Sequence, residues 1–284
     1  MDWRKRTAAG LVAAASLVQA PAALADDFNL VTARSYVSLG SFLNSSALKI
    51  RVNDPVATDP VDPGFENPWF DWSESFGNPN VARFRLDGVW RISNRHHLRA
   101  MWTDYSLSRE VALQRDVSWG DDIIEVGTRA RGSHGFSIVE LAYEFAFLRG
   151  ENLELALTAG LHHTSFLARL TTEVSTPEGD LGATVGGKAS VNVPLPVLGG
   201  HALWRIGGDL YLDGLAQWFA LSINEYDGNL VNLRGALTWQ PHQWLGIGVG
   251  YDYFQTDLDV KKRDFRGSID WSYSGPQVFL NVGF

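Results

Sequence analysis

The feature that most restricts the fold is a strict two-residue alternation, repeated in segment after segment. In "GNLVNLRGALTWQP" (228–241), Val231, Leu233, Gly235, Leu237 and Trp239 share one face. Leu230, Asn232, Arg234, Ala236, Thr238 and Gln240 share the other. Successive side chains of a strand point to opposite sides, so this period specifies a strand with two unlike faces. After the tight turn "QPHQ", the segment "WLGIGVGYDYFQTD" repeats the pattern. Leu245, Ile247, Val249, Tyr251 and Tyr253 oppose Gly246, Gly248, Gly250 and Asp252.

The alternation extends over most of the chain. Phe84, Leu86, Trp90 and Ile92 oppose Arg83, Arg85, Asp87 and Arg91. Two further segments join at Arg149-Gly150-Glu151-Asn152. In the first, Val139, Leu141, Tyr143, Phe145 and Phe147 oppose Glu140 and Glu144; in the second, Leu153, Leu155, Leu157, Ala159 and Leu161 oppose Glu154, Thr158 and His162. The pattern predicts about ten strands, near 33–52, 80–92, 97–107, 134–148, 152–169, 197–206, 209–224, 228–240, 244–259 and 267–284, with eight or twelve as alternatives. Short connections (93–96, 149–151, 207–208, 241–243) alternate with longer ones (53–79, 108–133, 170–196), although 225–227 and 260–266 are shorter. Turn-forming residues fill the long ones, as in "NDPVATDPVDPGFENP".

Two segments break the parity. Between Leu39 and Leu48 the apolar face shifts, which predicts a bulge near Asn44-Ser45-Ser46. Ile269, Trp271 and Tyr273 are odd whereas Val278, Leu280, Val282 and Phe284 are even, which predicts a one-residue slip at Ser274-Gly275-Pro276. Segment 209–224 is mixed, since Leu215, Phe219 and Leu221 share parity with Asp213 and Gln217.

The N-terminus has the order of a cleaved secretory signal: basic Arg4, Lys5 and Arg6, an apolar run from Ala8 to Val18, then Ala23-Leu24-Ala25 before Asp26. Cleavage after Ala25 divides the chain into a signal (1–25) and one domain (26–284). Its loss removes three basic residues and one acidic residue, leaving 21 basic and 31 acidic, a net charge of −10. That balance argues against a nucleic-acid partner. There is no cysteine, so no disulfide stabilises the exported chain. Nor does any later apolar run reach the roughly 18 residues of a spanning helix. Eleven tryptophans and 28 glycines suit an all-β soluble protein or, equally, a membrane barrel whose alternating strands hide their apolar face from a running average; the segregation of short and long connections favours the barrel.

The final "QVFLNVGF", with Val278, Leu280, Val282 and the terminal Phe284, resembles the assembly signal of Gram-negative outer-membrane β-barrel proteins. The resemblance spans the whole mature chain and implies a single antiparallel transmembrane β-barrel. Periplasmic turns would be short and extracellular loops long. It also implies outer-membrane lipids and lipopolysaccharide as surroundings, and the barrel-insertion machinery as an assembly partner. In that superfamily the last strand closes the sheet against the first.

Such a barrel places Arg83, Arg85, Asp87, Arg91, Glu140, Glu144, Glu154, Arg234, Asp252 and Asp270 inside, with Arg99, Arg205, Asp213 and Arg266. Balanced charges of this kind fit an ion-paired, occluded lumen with a structural or surface-interaction role. A narrow channel for small solutes is the alternative.

His163 and Ser165, two apart on the apolar face, are similar to the His and Ser of lipid A deacylase barrels, with Glu173 or Glu178 as the acid. A nucleophilic Ser needs a base, and the base an orienting group; only the His-x-Ser spacing is visible. Asp121-Asp122 with His134 or His201 is similar to the acidic pair and rim His of omptin-type proteases. Neither set is assigned a catalytic role. No zinc spacing, phosphate-cradling loop or nucleotide motif occurs, so no cofactor is expected. The first long loop mixes acids with Phe65, Trp69, Phe70, Trp72 and Phe76 and reads as a solvated cover over the mouth, with Trp72 exposed. Lys261, Lys262, Arg263 and Arg266 form a basic cluster suited to lipopolysaccharide phosphates.

Overall fold

A computed structural model describes residues 28–53, 67–77, 81–119, 122–175, 181–185, 187–223, 226–261 and 266–284. Ala23, Ala25, Lys262, Arg263, Asp121, Glu178 and Phe65 lie outside them.

Ten long strands form the wall: β1 (Ser35–Asn53), β3 (Val81–Arg91), β4 (His96–Ala112), β7 (Arg129–Arg149), β8 (Leu153–Ser175), β10 (Lys188–Gly207), β11 (Leu210–Ile223), β12 (Tyr226–His242), β13 (Leu245–Lys261) and β14 (Arg266–Gly283). Every neighbouring pair is antiparallel, and β14 pairs β1, so the sheet closes on itself. Closure leaves no edge in lipid, where an unpaired backbone group has no solvent partner. The last hydrogen bonds of the closure are Phe284 N–H to the Ser35 carbonyl at 2.7 Å and Ser35 N–H to the Phe284 carbonyl at 3.1 Å. Small additions sit at one end: β2 (Phe70–Asp71), helix α1 (Trp72–Phe76), the hairpin β5 (Val117–Trp119) and β6 (Asp122–Ile124), and β9 (Leu181–Val185). The first described residues and the C-terminus lie at the other end with the short turns, as the Asn29 side-chain bond to the Glu151 carbonyl and the Gly283 bond to the Gln243 carbonyl show.

The outer surface is a lipid-facing belt. Leu39, Leu141, Leu157, Leu198, Ile247, Val278 and Leu280 are exposed along it. Trp90, Trp204, Trp239, Trp244 and Phe284 ring its short-turn end; Phe84, Trp218 and Tyr253 mark the other. Aromatic girdles at both interfaces are a hallmark of transmembrane barrels.

Three expectations need correction. The β1–β14 ladder runs without a register shift from Tyr36↔Gly283 to Asn53↔Arg266, and so does β13–β14. There is therefore no bulge at Asn44-Ser45-Ser46 and no slip at Ser274-Gly275-Pro276. The apolar parity changes because the lumen itself turns apolar towards the long-loop end: Leu48, Ile50, Ile269, Trp271 and Tyr273 all point inward and are buried. For the same reason Asp270 lies outside the lumen, half-buried opposite Lys49 and Asp257, and Arg266 is exposed. Strand β10 begins at Lys188, nine residues before the expected start, and runs through Pro194 and Pro196. Proline is tolerated where its nitrogen faces an unpaired edge.

Candidate functional site

Inside the wall, side chains fill the lumen in four layers. Nearest the short turns, residues 28–34 fold back into the mouth. Thr32 and Ala33 N–H groups both donate to the Asn29 carbonyl, making a compact turn. Leu30 and Val31 are buried with Tyr36, Val89, Leu203 and Tyr211. Arg91 Nη1 donates to the Ala33 carbonyl at 2.7 Å, and the Tyr211 hydroxyl donates to the Phe28 carbonyl at 3.3 Å.

Above this cork lies the ion-paired layer. Arg85 donates Nε and Nη2 to the two oxygens of Asp87 at 2.7 and 2.9 Å, and Nη1 to Asp252 at 2.9 Å. Arg234 Nη1 reaches Asp87 Oδ1 at 3.2 Å. Arg99 Nε donates to Glu144 at 2.6 Å, and Arg91 Nη2 to Glu154 at 3.1 Å. These groups are almost wholly buried. A buried charge survives only when paired, because its lost hydration costs several kcal/mol.

Three histidines complete the layer. His201 stands 2.9 Å from Asp213 and 3.5 Å from Glu144. His162 is 3.2 Å from Glu140, whose other oxygen accepts from Gln217 Nε2 at 2.5 Å. Gln217 in turn accepts from Asn232 at 2.8 Å. His97 lies 3.6 Å from Glu154. Arg83, Arg85, Asp87, Arg91, Arg99, Glu140, Glu144, Glu154, Asp213, Arg234 and Asp252 are buried on the inner face, while Arg205 is partly exposed at the short-turn end. His97, Gln217 and Asn232 were not singled out; their parity with the acids is the signal that places them there.

The third layer is apolar. Phe136 stacks on Trp271 with centroids 3.6 Å apart, and Phe254 and Phe166 pack beside them. At its base, Arg83 is only 3% exposed and its Nε and Nη2 have no hydrogen-bond partner among the described residues. Its side chain is hydrogen-bonded to that of Tyr105, and rings surround it: Tyr105 at 3.8 Å, Tyr273 at 5.3 Å and Phe42 at 5.7 Å from the guanidinium carbon. Cation–π contact offsets part of the burial cost.

The fourth layer is a cap. Asp71 N-caps α1 by accepting from Glu74 N–H at 2.8 Å. The helix drops Trp72 and Phe76 into the mouth, where Phe76 lies flat over Gly132; a Cβ there would come within 2.5 Å of the ring. Trp72 is 1% exposed, which corrects the reading of this loop as a solvated cover. Phe70 is buried too, and among the described aromatics of this loop only Trp69 keeps an exposed face. Leu113, Val117, Trp119 and Ile124 of the β5–β6 region join the same core.

The catalytic candidates do not assemble among the described residues. His163 and Ser165 face outward on β8, opposite Pro194 and Asn192. Their proposed acids, the Glu173 side chain and Glu178, lie outside what is described. His201 is deep in the ion-paired layer rather than at the rim. His134 is buried between Trp72, Tyr105 and Phe136, with no described carboxylate paired to it. Asp122 lies in the β5–β6 hairpin, opposite Trp119. Of the basic cluster, Lys261 is exposed at the end of β13.

No protein-family model and no curated protein sequence matches the chain. Among solved structures, the chain is similar to the outer membrane protease OmpT from Escherichia coli, with a TM-score of 0.57 and 17% identity over 88% of this chain and 96% of OmpT. The toluene transporter TodX of P. putida (8% identity, 88% and 90% covered) and the attachment invasion locus protein Ail of Yersinia pestis (10%, 86% and 97%) each align with a TM-score of 0.34. The likeness to OmpT is one of fold.

Proposed function

We propose that this outer-membrane β-barrel is a non-conducting barrel whose role is carried by its extracellular surface. The observation that supports this is the filling of the lumen by four successive layers. A water-filled pore needs an open polar path, as in wide barrels of 16 or more strands. Here the polar layer is bounded by the Leu30–Val31 cork on one side and the Phe136–Trp271 layer on the other. The charges of the polar layer pair with one another and so serve the wall rather than a permeant ion, while Arg83 stands apart among aromatic rings.

The surface available for partners lies beyond the belt. Ile123 and Val126 are exposed at the β5–β6 hairpin and beside it, and Trp69 on the first loop is stacked with Arg51 at 4.8 Å. Lys261 is exposed at the end of β13, and Lys262 and Arg263 follow it in the sequence; such cations would suit lipopolysaccharide phosphates, whose anionic oxygens accept strong, charge-assisted hydrogen bonds. Phe284 and the strand before it are the segment the insertion machinery would read. This reading includes no catalytic step.

Conductance of the purified protein in planar bilayers tests the proposal. The expected record is flat for wild type, with steps appearing only after deletion of residues 28–33 combined with removal of lumen side chains. Regular single-channel steps from the intact protein would overturn it.

A further inference from the structure

One seam of the barrel is incomplete. The β10–β11 ladder stops at Leu198↔Trp218, although both strands continue upward. Above it, among the described residues, 188–197 pair only with β8, and the end of β11 pairs only with β12. Trp218 lies eight residues above the turn, which at a tilt near 40° is roughly 20 Å, close to the outer edge of a ~25 Å apolar band. Free backbone donors at that depth would be costly. Pro194 and Pro196 reduce their number on the β10 side: the ladder to β8 is unbroken through both, so their nitrogens face β11. At the base of the fork the strands are pinched, since a Cβ on Gly199 would lie 2.1 Å from the Ala216 carbonyl oxygen.

Behind the fork the lumen is apolar. Val191, Val193 and Leu195 of β10 line a small enclosed cavity of about 20 Å³ together with Phe136 and Trp271. One aromatic layer further in, Tyr105 and Tyr273 cage Arg83. A buried guanidinium with two nitrogens lacking hydrogen-bond partners among the described residues, separated from the fork by the packed aromatic layer, is complementary to one kind of guest: a single hydrocarbon chain ending in an anion.

We propose that the β10–β11 fork is a lateral port for a long-chain fatty acid, whose carboxylate meets Arg83 while its chain lies along the aromatic layer back to the membrane. The chain replaces contacts among Phe136, Trp271 and Leu195, and the carboxylate gives Arg83 the charge-assisted, bidentate partner it lacks. Entry is sideways, so it requires neither mouth to open. Diacyl lipids, with two chains and a bulky headgroup, do not fit one cage.

The chain has no cysteine, so the fork can be locked cleanly. Pro196→Cys/Ala220→Cys places two outward thiols across its base, to be joined by a short bis-methanethiosulfonate linker. The probe is 5-doxyl-stearate, read by electron spin resonance in phosphatidylcholine nanodiscs. Wild type and the unlinked double variant are expected to show an immobilised component that linking abolishes and dithiothreitol restores. Arg83→Gln should reduce it at least tenfold and Arg83→Lys should retain most of it, with folded yield confirmed by heat-modifiable migration. The proposal falls if no component responds to the linker, if Arg83→Gln leaves it unchanged, or if spin-labelled phosphatidylcholine gives an equal linker-sensitive signal.

Discussion

Changing Asp87 to Asn tests whether the ion-paired layer holds the barrel together. Asp87 accepts two hydrogen bonds from Arg85 and one contact from Arg234 at 3.2 Å, with all three side chains buried. Arg85 retains Asp252 at 2.9 Å, but Arg234 loses the carboxylate that stands within 4.0 Å of it among the described residues. An asparagine supplies one acceptor oxygen and turns an amide donor towards a guanidinium. Stranding a buried charge in this way costs about 3–5 kcal/mol. Removing the stranded cation as well should recover part of that loss. Asp87→Asn/Arg234→Met is therefore expected to be less damaging than the sum of the single changes by about 1–3 kcal/mol. Asp270→Asn, outside the lumen, should stay within about 0.5 kcal/mol of wild type. Urea titrations in lipid vesicles, followed by tryptophan fluorescence and heat-modifiable gel migration, give all four values. A cost below about 1 kcal/mol for Asp87→Asn, or strict additivity in the double variant, would refute the view that these charges are structural.

Phe284→Asp should lower the folded outer-membrane fraction far more than Trp69→Asp, at the part-exposed tryptophan before β2. A charge at the interface costs only up to about 1 kcal/mol, so a severe defect would reflect loss of strand closure and of recognition during assembly; equal folded yields on heat-modifiable gels would sink this. Replacing Lys261, Lys262 and Arg263 by Ala should weaken lipopolysaccharide retention during purification, and raising salt should weaken the wild-type interaction as well. Retention unchanged by either treatment would remove this cluster from the interaction surface.

Much of the wall was readable from alternation alone. Ten strands, the short turns and the outward faces of β12 and β13 match because Leu233, Leu237, Ile247 and Val249 alternate with polar or small residues. Legibility failed where the lumen became apolar. Once both faces of a strand are hydrophobic, parity carries no direction, and Trp271 and Tyr273 looked like lipid-facing residues displaced by a bulge. Asp270 was drawn inside by the same error. The start of β10 was missed because two prolines in three residues normally end a strand; the exception depends on a missing neighbour that no local pattern reveals. Charged lumen residues were legible one by one, but not their partners. Arg234 and Asp87 are distant in sequence and meet only across the closed barrel. The burial of Trp72 depends on Gly132 leaving room for the neighbouring Phe76, a contact between separate segments.

The cork also fixes an order of events in time. Leu30 and Val31 wedge against Tyr36 and Val89 near the start of the chain, but equally against Leu203 and Tyr211, which emerge from the ribosome long afterwards. The turn at 28–34 precedes every strand of the wall in the chain, yet its seat does not exist until β10 and β11 stand beside β3. Seating is thus a late event, and until it happens the polar layer is open to periplasmic water from below. Desolvation of the arginines and carboxylates then follows wall closure instead of preceding it, so each ion pair can find its partner while still hydrated and be sealed afterwards by the chain's own leading end.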